Sequence, residues 1–600
     1  MAARRVVVLR MFLVALLALI AIRLVDLQVV RSGQYQASAH DELVRTVTIP
    51  ALRGGIYDRA GHVLSLSVPT KQVVADDFQI THPALEALAL SPLIGVDAAH
   101  LEAMLSRRGP GSGDVTLASA VPLATATTIT ADAFPGITVL DSSYRSDPNG
   151  DLARSLLGFD NFAGAGASGL EYQYNTLLAG RAGMNQVLVS PNGLTLPQSA
   201  PVHLVTPIPG RGLELTLDLP LQYQAEQALG RQILATNSIS GTAIVMDTRT
   251  GDVLAQANLV NTTLGANTSG LAVPLSVPSS HPIVPGTAEA MNDLALTATY
   301  EPGSVFKLVP FSAALEARLI TPATVFNIPN QISFDGYTFH DAENHGQITL
   351  TSTGVLAQSS NLGTFQIASK VGEQGLLTQV AKLGFGQPTG LGVPGESPGL
   401  LVNSSSWSPT DLISLAIGQV DSATPQQVLD AYNAVANGGV FVAPRLVRAV
   451  VNADGSMEAT PASTTRRVLS YPVAAELNAM LKEVVLDGTG TNAVVPGYSV
   501  AGKTGTAQIP AAGGANYVPG AYNATFVGYA PAENPVLTTI VVLNRPTPAY
   551  FGGVVAAPVF SSIMSYALHR YGIPTTKGAP TQITSTGQVV GDVTGAGVVR

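Results

Sequence analysis

The chain contains no cysteine among its 600 residues. Thiol nucleophiles, disulfides and thiolate metal sites are excluded together, which fits either a reducing compartment or an export route that makes no use of disulfides. Charge is also scarce: Asp, Glu, Lys and Arg make up 12% of the chain, about half the usual share of a soluble domain, so charge-driven disorder is not expected. Basic residues are the minority, with 31 Lys and Arg against 40 Asp and Glu, and the formal net charge of -9 offers no field for nucleic acid. No Gly-x-Gly-x-x-Gly loop joins a strand to a helix around Gly488 and Gly490, so no nucleotide site is expected. What is abundant is apolar sequence, 46% of residues, enough for several cores without covalent staples.

The longest apolar run is VVVLRMFLVALLALIAI from Val6 to Ile22, broken only by Arg10. Its 17 residues sit at the lower limit for crossing a hydrocarbon layer of ~30 Å, and Arg10 and Arg23 lie near enough to its ends to snorkel. Arg4, Arg5 and Arg10 bias the amino end to the cytoplasm and place the rest of the chain outside. No small-residue cleavage site follows; Leu24 to Val30 continues as an amphipathic extension, which favours an uncleaved anchor. The expected division is a cytoplasmic tail at 1–5, an anchor and juxtamembrane helix at 6–30, a non-catalytic domain at 31–225, a catalytic domain at 226–577 and a loose tail at 578–600.

Within the exported part the patterning is mixed α+β. Val44 to Ile49 reads as a strand, Pro83 to Leu90 and Asp97 to Leu105 as helices, and the stretch at 128–140 as strand. Pro220 lies just inside a helix reaching to about Leu229, and Thr242 to Asp247 with Asp252 to Ala257 forms a hairpin around TRTG. Residues 258–290, rich in Asn, Thr, Ser, Pro and Gly, read as a long surface loop. Thr424, Pro425 and Gln427 spell a capped helix with Val428, Leu429, Tyr432 and Val435 inward and Gly438 as its stop; another runs from Pro472 to before Gly488. Ser499 to Ala501, Ala524 to Tyr529 and Leu537 to Leu543 read as strands of one sheet.

Three short segments carry chemistry. In EPGSVFK, Glu301 to Lys307, Ser304 and Lys307 are three residues apart on one helical face, close enough for an amine to take a proton from a hydroxyl. First-turn N–H groups would favour developing negative charge beside that hydroxyl. Ser359-Ser360-Asn361 offers a hydroxyl and an amide on a turn. Lys503-Thr504-Gly505-Thr506 lies on an apolar strand whose alternation sends Lys503 and Gly505 one way and Thr504 and Thr506 the other, with Gly505 leaving room for a peptide against the backbone. Alone, a Ser-x-x-Lys pair is a common coincidence on a solvated helix face.

The ordered set Ser-x-x-Lys, Ser-x-Asn, Lys-Thr-Gly-Thr resembles the penicillin-binding protein and serine β-lactamase superfamily. RGGIYDRAG at 53–61, GASGLEYQYNTLLAGRAG at 166–183, LTLDLPLQ at 215–222, YEPGSVFK at 300–307, HGQITLTSTGVLAQSSNLG at 345–363 and GTGTNAVVPGYSVAGKTGTAQ at 488–508 extend the resemblance to class B penicillin-binding proteins over most of the chain, with the last block closest to division-specific, septal members. The resemblance implies one transmembrane helix, a mixed pedestal (dimerisation-type) domain and a transpeptidase domain built on a five-stranded, mainly antiparallel sheet flanked by helices. It implies that Ser304 attacks the penultimate D-alanine carbonyl of a peptidoglycan stem peptide and that Lys307 is its base. Ser359 would relay a proton to the departing amine, Asn361 would orient Lys307 and the substrate amide, and Lys503 would draw the terminal carboxylate and hold Ser359. Thr504, Gly505 and Thr506 would line the substrate, with the N–H groups of Ser304 and Thr506 as oxyanion hole. No cofactor and no metal are implied. Implied partners are stem peptides or their lipid-linked precursors, β-lactams, a membrane glycosyltransferase, other division proteins and the lipid bilayer through 6–22.

Departures are confined to 258–298, which is irregular, and to DSSYRSDPNGDLARSLLG at 141–158, which lacks a Tyr-Pro pair. HDAENH, with His340, Asp341, Glu343 and His345, has no zinc-type spacing and reads as a polar surface loop. Arg53, Asp58 and Arg59 read as buried pedestal or interdomain pairings, and Gly169 and Glu171 as a structural motif. Three alternatives share the motifs: a β-lactamase or β-lactam sensor, a carboxypeptidase passing the acyl group to water, and an idle scaffold of a division complex.

Overall fold

The computed structural model describes residues 2–33, 35, 44–106, 114–161, 163–188, 202–264, 276, 282–334, 336–401, 410–511, 516–579, 582–583 and 589–590. Most of the tail expected after 578 lies outside them. The chain forms two compact units: residues 1–54, 67–146 and 179–210, and residues 55–66, 147–178 and 211–600.

In the first unit the apolar run is part of a helix, Ala2–Val25, that continues as a π-helical turn, Asp26–Val30. Its large apolar side chains are exposed on every side, as a lipid-facing helix requires. The helix outlasts the 17-residue run because Leu24 to Val30 stays helical, with Asp26 held by Arg23 at 2.7 Å and Arg31 at 3.3 Å. Farther along, the strand Val63–Asp76 pairs from Lys71 onward with Asp114–Val121, and Ile137–Ser146 pairs with it as well. Helices Pro83–Ile94, Ala98–Leu105 and Leu123–Asp132 accompany this sheet, and Val73, Ala75, Leu90, Leu101, Leu105 and Ile129 form the unit's core. Asp97 caps the second helix by accepting from the His100 N–H. The strand expected at 128–140 begins only at Ile137. The Thr-rich stretch before it is helical, with Ala126 and Ile129 on its buried side, and Thr127, Thr128 and Thr130 donate their hydroxyls to the carbonyls of Leu123, Ala124 and Ala126, one turn back.

The second unit is organised by a sheet of six antiparallel strands in the order Thr287–Glu289, Val253–Asn261, Ser240–Asp247, Leu537–Asn544, Tyr517–Ala530, Ala501–Pro510. Side chains alternate across it: Ile244 and Met246 join one core, Ala243 and Val245 the other. Helices Leu219–Ala235 and Ala557–Arg570 cover the second face; Leu308–Glu316, Pro425–Ala436 and most of Tyr471–Leu486 contribute to the first core. The Pro220 helix runs six residues past Leu229 because Leu229 and Ile233 stay on its buried side. The Pro425 helix has the expected capping box, with Thr424 and Gln427 satisfying each other's backbone.

Two expectations change here. The sheet has a sixth, three-residue edge strand, and the segment read as a surface loop supplies it. Asn258 to Asn261 and Thr287 to Glu289 are buried strand, while 265–275 and 277–281 lie outside the described residues. The polar composition misled because these polar groups pair inside the core. Asn258 accepts from the Thr242 hydroxyl and the Ala295 N–H, and donates to Asp293 and Ser155.

Candidate active site

Ser304 lies on a single 3₁₀ turn, Gly303–Lys307, that runs directly into the helix Leu308–Glu316. Three residues per turn eclipse positions i and i+3, so Ser304 and Lys307 share one side. Gly303 makes the turn possible: its φ is 59°, its N–H donates to the Gly418 carbonyl at 2.9 Å, and Ala507 of the edge strand leaves a Cβ only 3.0 Å. From the other side Tyr432 donates its buried hydroxyl to the Val305 carbonyl at 2.8 Å.

Ser359 follows the short helix Ser352–Ala357 and adopts φ 59°, a left-handed conformation uncommon for serine. Ser360 caps the next helix, Asn361–Lys382, which puts Asn361 on its first turn. This kink aims both the carbonyl and the side chain of Ser359 at the lysines. Lys307 Nζ donates to the Ser359 carbonyl at 2.5 Å and to Asn361 Oδ1 at 2.8 Å, with Ser359 Oγ at 3.3 Å. Lys503 Nζ donates to Ser359 Oγ at 2.9 Å and to its neighbour's carbonyl, Thr504 O, at 3.1 Å.

Both lysine side chains are fully buried. Burial pulls the Lys307 ammonium down to about 7, with the Asp341 carboxylate acting in the opposite direction. Lys503 is driven well below its ordinary value by burial and then by the charge of Lys307. One buried amine available in neutral form near pH 7, sharing the Ser359 hydroxyl with a second buried amine, is an arrangement for moving protons.

The strand carrying Lys503 keeps regular register through the motif, from Ala501 opposite Tyr529 to Gln508 opposite Tyr522. The Thr504 hydroxyl pairs with that of Thr489 at 2.6 Å, and the Thr506 hydroxyl accepts from the Gly552 N–H at 3.1 Å. Gly505 has a packing reason besides the one the sequence suggested. A Cβ there would stand 3.0 Å from the Pro302 carbonyl and 3.1 Å from Val305 Cγ1, so the missing side chain lets the strand meet the Ser304 turn.

The structure therefore gathers Lys307, Ser359, Asn361 and Lys503 by direct hydrogen bonds, and places Ser304 and Gly505 where turn and strand touch. Arg53, Asp58, Arg59, Gly169 and Glu171 lie outside this cluster. Asp58 is buried and accepts from the N–H groups of Ala60, His62 and Leu219 and meets His62 Nδ1 at 2.9 Å, so it orders its own turn. Arg59 is half-buried with its guanidinium over the Tyr571 ring, and Arg53 and Glu171 are buried. Gly169 has φ 55°, and a Cβ there would lie 2.4 Å from the Leu156 carbonyl.

Two contributors escaped the sequence reading. Tyr432 counted only as an apolar helix position, although a buried hydroxyl needs a partner. The HDAENH segment is no mere surface loop: Glu343 is exposed, but Asp341 is buried against the Ser359–Asn361 turn, its oxygens taken by Ser360, Asn361, Leu362 and His345. Among the described residues no group of three His, Asp or Glu is placed to hold a metal ion.

Comparison with known proteins meets this geometry from outside. Residues 241–565 match the penicillin binding protein transpeptidase domain, and residues 48–215 match the penicillin-binding protein dimerisation domain. The chain is 32% identical to the penicillin-binding protein PbpB of Mycolicibacterium smegmatis, over 94% of this chain and 89% of that protein. It is 33% identical to a probable peptidoglycan D,D-transpeptidase, PbpC, of Pseudomonas aeruginosa, over 95% of this chain and 96% of that one. Among solved structures, penicillin binding protein 3 of Mycobacterium tuberculosis complexed with aztreonam superimposes with a TM-score of 0.66 at 30% identity, covering 90% of this chain and all of that one. With two buried lysines meeting at one serine, inside the matched residues 241–565, the chain belongs to the penicillin-binding protein family and carries its transpeptidase domain together with its dimerisation domain.

Proposed function

We propose that the protein crosslinks peptidoglycan by D,D-transpeptidation through an acyl-enzyme on Ser304. The observation that carries the reading is the position of Lys307, an amine buried to about pKa 7 and held on Ser359 and Asn361 three residues from the serine. Neutral Lys307 takes the Ser304 proton as Oγ adds to the penultimate D-alanine carbonyl. The N–H groups of Ser304 and Thr506 receive the oxyanion. Collapse breaks the C–N bond, and the departing D-alanine amine takes a proton through Ser359, which Lys503 holds at 2.9 Å. The amine of a neighbouring stem peptide then attacks the ester, releases Ser304 and restores the proton to it. Thr504 and Thr506 meet the substrate's carboxylate and amide, with Lys503 supplying positive potential. β-Lactams acylate the same serine.

The reading extends to a septal role, from the Gly488–Gln508 block, and to a single-pass topology with the amino end cytoplasmic, from Arg4, Arg5 and Arg10. Residues 6–22 anchor the chain, 31–225 serve as pedestal, 226–577 carry the chemistry, and a membrane glycosyltransferase supplies the glycan strands. Intact-mass spectrometry of residues 31–600 with benzylpenicillin tests the core of it. One ligand mass should add to the wild type and be absent from S304A and K307A; folded wild type without an adduct overturns acyl transfer in favour of a scaffold.

A further inference from the structure

Asp341 is 8% exposed on the loop between the strands Tyr337–His340 and Ile348–Thr351. A buried carboxylate needs compensation, and every donor near it belongs to one small region. Oδ1 accepts from the backbone N–H groups of Asn361 at 2.5 Å and Leu362 at 3.0 Å; Oδ2 accepts from Ser360 Oγ at 2.7 Å and meets His345 Nε2 at 3.0 Å. Two of these donors are orphan N–H groups of the first turn of the helix Asn361–Lys382, and the third is that helix's cap residue. Asn361 is thus held at both ends: its backbone by Asp341, its side-chain amide by the His340 carbonyl at 3.3 Å, leaving Oδ1 for Lys307.

The left-handed backbone of Ser359 needs such a clamp. A serine at φ 59° sits in a sparsely populated backbone region, and it stays there only if its surroundings hold it. The residue after it is pinned through its hydroxyl to Asp341, and the next through its N–H.

We propose that Asp341 is a positioning residue for the Ser304 chemistry: it fixes the turn that presents Ser359 and Asn361 to the two lysines, and keeps a negative charge beside the turn that holds Lys307. This rests on the transpeptidase reading. Among the described residues, the charged groups that act on Lys307 are Asp341 on the loop and Lys503 on the edge strand, and His345 stands behind Asp341. Asp341 itself remains anionic: burial would raise its pKa, but hydrogen bonds from Leu362, Ser360 and His345 and the charge of Lys307 bring it below the ordinary value. His345 is raised by its contacts with the Gly346 carbonyl and Asp341, so it adds positive charge on the far side of the carboxylate as pH falls.

The test is the second-order rate of acylation by a fluorescent penicillin from pH 5 to 9, on wild type, D341N, D341E and S360A, with S304A as the blank and melting temperatures beside each. Asparagine keeps both backbone contacts but drops the charge. The acidic limb of the D341N profile should move at least about half a pH unit lower, because Lys307 loses the anion that favours its protonated form. Its plateau should fall by up to ~100-fold as the turn loosens. D341E should keep the limb in place, and S360A, which loosens the clamp with the charge intact, should lower the plateau without moving the limb. A uniform fall at all pH values in D341N, or a wild-type profile, overturns the inference. If D341N does not fold, an unchanged S360A plateau overturns it. Failure of the wild type itself to label is the separate failure of the transpeptidase reading.

Discussion

Tyr432 and Val305 are joined across the first core by a hydrogen bond of 2.8 Å, from the phenol to the carbonyl in the middle of the Ser304 turn. A helix that otherwise looks like packing thereby fixes the nucleophile's backbone. Tyr432→Phe removes only the oxygen and leaves the Val305 carbonyl without this buried partner. The expected cost is ~1–3 kcal/mol, read as a lower melting temperature by ~2–4 °C per kcal/mol. If the bond also positions Ser304, penicillin acylation should slow in the folded variant. A variant that melts lower but labels at the wild-type rate would leave Tyr432 a stabiliser only.

Gly505→Ala tests the close approach of strand and turn. The new Cβ would press on the Pro302 carbonyl at 3.0 Å and on Val305, neither of which is the free end of a flexible chain. The turn must retreat from the strand, separating Ser304 from Lys503 and Thr506. Since a displacement of ~1 Å can cost ~100-fold, acylation should fall by one to two orders of magnitude with an unchanged circular dichroism spectrum. Unchanged labelling would mean that the contact is slack.

These two cases show what a sequence discloses. The motifs at Ser304, Ser359 and Lys503 are legible because their spacing is local, and the capped helix at Thr424 is legible because capping is a four-residue event. Tyr432 and Asp341 were missed for one shared reason: each acts through a partner at least 19 residues away, and hydropathy alone cannot tell a paired buried polar group from a solvated one; the contact of Gly505 with Pro302 is likewise distant in sequence. The same blindness turned Asn258 and Glu289, both core residues, into a surface loop.

Ser359 combines backbone strain with a side-chain role, and two substitutions separate them. Ser359→Ala keeps the unfavourable φ of 59° and loses the bond to Lys503; Ser359→Gly loses the same bond but relieves the strain. Both should slow turnover of a D-Ala-D-Ala peptide to a similar extent. Glycine should melt higher than alanine by an amount equivalent to ~1 kcal/mol. Equal melting temperatures would show that the left-handed turn carries no net strain.

The second unit also hides a group of carboxyls that no step of the chemistry uses. Glu226, Glu289 and Asp293 are all buried, on the helix Leu219–Ala235, the edge strand and the segment after it. Glu226 accepts from the Ala153 N–H and from Gln222, both at 2.8 Å, and Glu289 accepts from the Ser155 N–H at 3.1 Å. Glu226 Oε2 and Glu289 Oε1 are buried and take no hydrogen bond from any of the described residues, so neither carboxylate is fully compensated. Burial raises Glu226 to about 8 and Asp293 to about 7, and raises Glu289 as well, with the charge of Glu226 next in importance. The sign follows from linkage: between about pH 4 and 8 the folded state holds protons that the unfolded chain has released. Their contribution to stability is therefore complete below about pH 4 and is lost as pH rises through 7 to 8. Lys307 and Lys503, buried with lowered pKa, contribute in the opposite direction, so the carboxyls are isolated by difference. Glu226→Gln keeps an oxygen for the Ala153 N–H and Gln222 and removes the titrating proton. Melting temperatures from pH 5 to 8 should fall less with rising pH in E226Q than in the wild type, while penicillin labelling stays intact. Parallel curves would mean that Glu226 is ionised in the folded protein and that another group neutralises it.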